Sequence, residues 1–133
     1  MSVPSLRNAC PSEHLEQREF VSWFRKTYPD VLIFAIPNGG KRNAVTAQKL
    51  KLEGVVPGVH DLFVPEWRLW IEMKRQKNGS LSQAQKDFGE EMDRVGYDWI
   101  VCKGCEDAKA QTESYVLRTR PHPRPRAQAG TER

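Results

Sequence analysis

The stretch that most limits what this chain can fold into is Asp61–Lys74. Asp61-Leu62-Phe63-Val64 and Leu69-Trp70-Ile71-Glu72-Met73-Lys74 are two strand-forming runs separated by Pro65-Glu66-Trp67-Arg68. If those four residues make the turn, the runs form a hairpin with Val64 paired to Leu69 and Asp61 opposite Glu72. Directly opposed residues share a face with Cβ atoms roughly 4.5–5.5 Å apart. Alternation then puts Lys74 on the Asp61–Glu72 face and Leu69, Ile71 and Met73 on the other. A slip of one residue would separate Asp61 from the pair. The pattern is Asp61, ten residues, then Glu72-Met73-Lys74.

The flanks supply the layers that such a hairpin needs. Ser12 is a helix N-cap with Glu13 and Glu16 in the first turn, and that helix should run to about Thr27. Its apolar face centres on Phe20, Val21, Trp23 and Phe24. At about 100° per residue, Glu13 falls on the midline of that face and Glu16 about 60° off it. A carboxylate turned inward needs a partner or a metal. Val31–Ile36 reads as a strand, ended by the turn residues Pro37-Asn38-Gly39-Gly40. Asn43 caps a helix over Ala44–Glu53, which Gly54 closes. Ser82-Gln83-Ala84-Gln85 is a capping box opening a helix to about Val95. A strand over Tyr97–Cys102 follows through this helical crossover and so lies parallel to a neighbour. A final helix is expected over Glu106–Leu117. The order predicts an α/β fold with one mixed sheet flanked by helices.

Charge is distributed unevenly. Residues 118–133 (RTRPHPRPRAQAGTER) carry the whole formal net charge of +4, and the rest of the chain balances. Within that balanced part, residues 38–77 are basic and residues 78–117 acidic. A basic section with isolated carboxylates inside it suits a polyanionic partner, nucleic acid first, although a solvated surface has the same composition. No apolar run approaches the ~20 residues of a membrane span. No export signal is recognisable and the three cysteines are odd in number, so reduced thiols and a cytoplasmic location are expected. Cys102 and Cys105 form a C-x-x-C pair with no second pair to complete a zinc site, and they read as incidental.

Two carboxylates on adjacent strands can hold a hard divalent cation whose remaining positions are filled by water. Such a cation polarises a phosphodiester and acidifies bound water, while Lys74 orients that water or stabilises charge developing on phosphate. A cross-strand salt bridge on an ordinary hairpin would show the same spacing. Asn38, Gly39, Gly40, Lys41 and Arg42 could cradle a phosphate with backbone N–H groups and two cations. Trp67 and Trp70 suit packing better than stacking on bases.

The runs FAIPNGGKRN, KLEGVVPGVHDLFVP, WIEMKR and LSQAQKDF resemble the VRR-NUC family of the PD-(D/E)xK nuclease superfamily. The resemblance extends from about Glu13 through Leu117 and is nearest the phage-type, stand-alone members similar to Holliday-junction resolvases. It implies a restriction-endonuclease-like core and Mg²⁺- or Mn²⁺-dependent cleavage of branched DNA. It places catalytic roles on Asp61, Glu72, Lys74, Gln85 and Glu13, the capping box being an equal explanation of Gln85, and metal contacts on Asp61, Glu72, the Met73 backbone carbonyl and Glu13. The family's usual G-V-P-D is here Gly58-Val59-His60-Asp61, so a turn-stiffening proline is missing. Residues 12–117 would be the nuclease domain, with a flexible extension over 1–11 and a disordered basic tail over 118–133. The setting implied is the cytoplasm of a bacterial or phage-infected cell. Symmetric cutting of a junction needs two sites, which predicts a homodimer. A helicase or recombination partner is compatible with the same reading. The rival functions are a nuclease on linear duplex and a DNA-binding subunit without cleavage.

Overall fold

The computed structural model describes residues 10–37 and 43–119. The expected phosphate cradle Asn38–Arg42, nearly all of the N-terminal extension and all of the basic tail past Thr119 lie outside the described residues. The elements are α1 (Glu13–Thr27), β1 (Phe34–Ala35), α2 (Ala44–Leu52), β2 (Leu62–Val64), β3 (Leu69–Lys74), α3 (Gln83–Arg94), β4 (Asp98–Lys103) and α4 (Cys105–Thr119). The strands lie in the order β1-β2-β3-β4, antiparallel through β3, with β4 parallel to β3.

Three helices start where a side chain satisfies an otherwise orphaned amide. Ser12, Asn43 and Ser82 accept from Leu15 N–H, Thr46 N–H and Gln85 N–H respectively. The β2–β3 connection is one turn of 3₁₀-helix, Pro65–Trp67, closed by Arg68 in the left-handed region at φ 52°. It fixes the predicted register: Val64 pairs with Leu69 and Leu62 with Ile71. Asp61, one residue before β2, therefore lies opposite Glu72.

The sheet has two different faces. Leu62, Val64, Leu69, Ile71, Met73 and Cys102 are fully buried in one cluster with Phe20 and Phe24 of α1 and Ala108 and Tyr115 of α4. The opposite face carries Phe63, stacked on Trp70 at 4.2 Å, and Trp70 meets Phe88 of α3 edge-on at 5.0 Å. Glu72 and Lys74 share that second face with Trp70 by alternation.

The expected strand over Val31–Ile36 is much shorter, with only Phe34 and Ala35 paired. It is an edge strand, and its neighbour β2 offers three residues. Ile33 is buried in the core, whereas Leu32 is 61% exposed, so the apolar run is not covered on both sides. α2 has no buried residue. α4 begins one residue earlier and ends two later than expected, so Arg118 and Thr119 are helical rather than the start of the tail. Among the described residues no helix is long and apolar enough to cross a membrane.

Candidate active site

Where β2 begins and β3 ends, beside the first turn of α3, four polar side chains meet. Asp61 is half-buried, and its Oδ2 accepts the backbone N–H of Met73 at 2.8 Å, which holds the carboxylate against β3. Glu72 is 1% exposed. Its Oε2 accepts from Gln85 Nε2 at 2.8 Å and lies 3.4 Å from Lys74 Nζ. Lys74 Nζ donates to Gln85 Oε1 at 2.7 Å.

Gln85 makes the capping contact and also lies between Lys74 and Glu72. Its Oε1 accepts Ser82 N–H at 2.9 Å, completing the capping box, while the same oxygen receives Lys74 and its amide nitrogen holds Glu72. One side chain thus ties the start of α3 to both ends of the Glu72–Lys74 pair. The approach to Asp61 is equally tight. Gly58 has φ +84°, and a Cβ there would sit 2.3 Å from the Ala84 backbone, so this segment can pass α3 only with glycine. His60 is fully buried, packed on Phe88 at 4.8 Å and Trp99 at 5.2 Å, with Nε2 3.1 Å from the Gln85 carbonyl oxygen. In place of a stiff turn residue, His60 wedges the turn against α3. Burial pushes its pKa down, so it sits there as a neutral ring.

The two acids cannot both be comfortably charged. Burial, and then the Asp61 charge, push Glu72 up to about 8 against the pull of Lys74. Burial also raises Asp61, opposed chiefly by the Met73 N–H. Glu72 Oε1 is buried without a hydrogen-bond donor. A buried oxygen lacking a donor, facing a second carboxylate, fits a hard cation in place of the missing proton. The donor set of two carboxylates leaves room for water and phosphate oxygens, as Mg²⁺ or Mn²⁺ requires. Among the described residues, no three His, Cys, Asp or Glu side chains gather to hold a metal.

The helix acid that turns inward is Glu16, where the sequence pointed to Glu13. Glu16 is 3% exposed and continues the buried line of Phe20 and Phe24 at i, i+4, i+8. Its Oε1 accepts Cys105 N–H at the start of α4 and its Oε2 accepts Gln76 Nε2, both at 3.0 Å. The expectation failed because Val21 and Trp23 are only half-buried and drew the apparent face away from the Phe20–Phe24 line. Glu13 is exposed, yet it lines the same groove as Asp61, Glu72 and Gln85. That groove encloses about 1040 Å³ and runs along α1 beside Ala35, Ile36 and Pro37. Sequence reasoning missed Glu16 and Gln76 as a structural pair, and only the 16–20–24 spacing carried any signal of it.

The other candidates are structural. Trp67 is buried among Phe24, Tyr28 and Tyr115. Cys102 and Cys105 are free and buried, and burial lifts the Cys102 thiol to about 12, which leaves it unreactive.

No protein-family model matches the chain, and no curated protein does. Among solved structures the chain is similar to one described as a VRR_NUC domain protein. The two superpose with a TM-score of 0.67 at 24% identity, over 82% of this chain and 91% of that one. The likeness is one of fold. The architecture is an α/β core with a four-stranded mixed sheet flanked by helices, of the kind found in that VRR_NUC structure.

Proposed function

We propose that the protein is a metal-dependent endonuclease of the VRR-NUC type that hydrolyses phosphodiester bonds in branched DNA, Holliday junctions among them. The observation that carries this reading is the Asp61–Glu72 pair, with a buried Glu72 oxygen lacking a donor and Lys74 3.4 Å from the other oxygen. A purely structural salt bridge needs one acid per lysine. Two acids pushed toward protonation by mutual burial make a poor stabilising device and a good cation site.

In this scheme Asp61, Glu72 and the Met73 carbonyl hold Mg²⁺ or Mn²⁺. Bound there, such an ion would supply Lewis-acid polarisation of the scissile phosphate and would make a bound water more acidic. Lys74 places its ammonium beside the reacting phosphate, where it steadies the attacking water and the charge that develops. Gln85 keeps Lys74 and Glu72 in register, and Glu13 lines the groove by which the strand arrives. No base-reading element is needed, since shape and backbone contacts select the substrate. Paired cuts across a junction need two such sites, so the working form is a homodimer in the cytoplasm.

The test is a cleavage panel of junction, flap, splayed and linear duplexes with and without metal. Wild type should cut junctions in Mg²⁺ or Mn²⁺ and be silent in chelator. Asp61→Asn and Glu72→Gln should each lose cutting while binding DNA as well or better, because removing a buried acid relieves repulsion of phosphate. Wild-type cutting by either variant, in preparations free of other nucleases, overturns the assignment. Preference for linear duplex keeps the chemistry and replaces the substrate. A strictly monomeric mass by light scattering alongside full paired cleavage removes the dimer.

A further inference from the structure

The groove that holds the acid pair continues past it along α1, and there its lining turns basic. Arg18, Arg25 and Lys26 line it together with Asp61 and Glu72. Arg18 and Arg25 are seven residues apart, so they lie on one stripe of the helix about 10 Å apart. The ion pairs among the described residues are Lys74–Glu72, Arg94–Glu91 and Lys109–Glu106. None of the three groove cations is neutralised by a carboxylate there. Arg25 is also anchored: its guanidinium donates to the Ile33 carbonyl at 3.3 Å, leaving four of its five N–H donors for another partner. Three residues along the same extended segment, Ile36 N–H bonds the Asp61 carbonyl at 2.8 Å. Three residues of extended chain span about 10 Å, so the Arg25 anchor lies within the reach of a short stretch of one DNA strand from the acid pair.

We propose that the groove face of α1 is a phosphate track on which Arg18, Arg25 and Lys26 hold the DNA strand that is to be cut, beside the scissile phosphate. This rests on the nuclease reading for what happens at Asp61 and Glu72, but the track is a binding site in its own right. A groove with acids at one position and free cations at another draws in a polyanion from the basic part. The strand can then be accepted at the acidic part once a cation neutralises it. An ordinary solvated helix face would carry the same charges without being continuous with the site or fixing a guanidinium on backbone.

The experiment measures binding of a fluorescein-labelled four-way DNA junction to the full chain in chelator, as a function of salt. It compares wild type, Arg18→Ala, Arg25→Ala, Lys26→Ala and the charge-keeping Arg25→Lys. Arg94→Ala serves as a control that removes the same charge elsewhere. Each alanine variant on α1 should bind several-fold more weakly and flatten the log–log salt slope by about 0.9, one phosphate's worth. Arg25→Lys should restore the slope and Arg94→Ala should leave it unchanged. With metal present, the α1 variants should raise KM while kcat at saturating DNA stays near wild type. If Arg25→Ala fails to fold, Arg18→Ala and Lys26→Ala decide, since neither side chain supports the fold through a hydrogen bond. Wild-type slopes in the folded α1 variants, or an equal loss in Arg94→Ala, overturn the track. Track-dependent binding by a wild type that cuts no probe upholds the track and sinks the nuclease. Cutting with track-independent binding does the reverse, and a wild type that neither binds nor cuts sinks both.

Discussion

Glu16 accepts the backbone N–H of Cys105 at 3.0 Å, across 89 positions of sequence. With Gln76 on its other oxygen, this carboxylate joins the first turn of α1, the loop after β3 and the start of α4. A negative charge at a helix N-terminus is favoured by the exposed amides there. Gly104, whose Cβ would meet Glu16 Oε2 at 2.6 Å, leaves the space for it.

Glu16→Ala should therefore cost about 2–3 kcal/mol in chemical denaturation, because a buried amide and Gln76 both lose an ionised partner. Glu13→Gln should leave stability within about 0.5 kcal/mol, as expected of an exposed side chain. If cleavage depends on Glu13, its loss will show in activity alone. Equal destabilisation by the two substitutions would contradict this division.

Gln85 and Ser82 separate the cap from the chemistry. Ser82→Ala removes the hydroxyl that accepts Gln85 N–H and should cost about 1 kcal/mol with kcat little changed. Gln85→Ala loses the cap and also frees Lys74 and Glu72, so it should lower stability by at least as much and depress kcat strongly. Matching kcat losses in the two variants would mean that the helix start, not the amide, supports activity.

The acid pair gives metal-free protein a pH signature. The folded state holds a proton on Glu72 up to about pH 8, whereas an unfolded glutamate releases it near 4.5. Between those values the native state binds more protons, so this contribution is full below about 4.5 and is lost as pH rises toward 8. At about 1.36 kcal/mol per unit, the loss amounts to a few kcal/mol. Glu72→Gln should become progressively more stable than wild type over that range, and divalent cation should help wild type most at the alkaline end. The comparison cancels His60, whose depressed pKa removes stability in the opposite direction, as pH falls through about 6.5. Parallel melting curves for the two proteins would refute a proton held on Glu72 in the folded state.

Gly89→Ala tests the contact between α3 and the sheet. In a helix interior alanine is worth about 1 kcal/mol over glycine. Here a Cβ would lie 2.5 Å from the Trp99 ring, which its indole N–H holds to Asp93 at 3.0 Å. The substitution should be net destabilising by about 1–3 kcal/mol in urea. A gain would show that Trp99 gives way.

How much of this was legible followed from the range of each interaction. The Asp61–Glu72 juxtaposition could be read because a four-residue turn and a period of two leave one register that buries Leu62 and Ile71 together. The caps at Ser12, Asn43 and Ser82 could be read because each bond spans three residues. The orientation of Glu16 could not, since its partners lie 60 and 89 positions away. Val31–Ile36 carried strand-forming residues, but the length of an edge strand is set by its neighbour. Gln85 was misjudged in a different way: two sufficient explanations were weighed as rivals when one amide group has atoms enough for both.

That economy has a dynamic consequence. The first turn of a helix is where fraying begins, and the Ser82 amide is held by the same oxygen that receives Lys74. Whenever that turn opens, the lysine loses its anchor at the same moment. The exchange of a single backbone amide, Ser82 N–H, thus reports how readily the Lys74–Gln85–Glu72 cluster comes apart, with no substrate present at all.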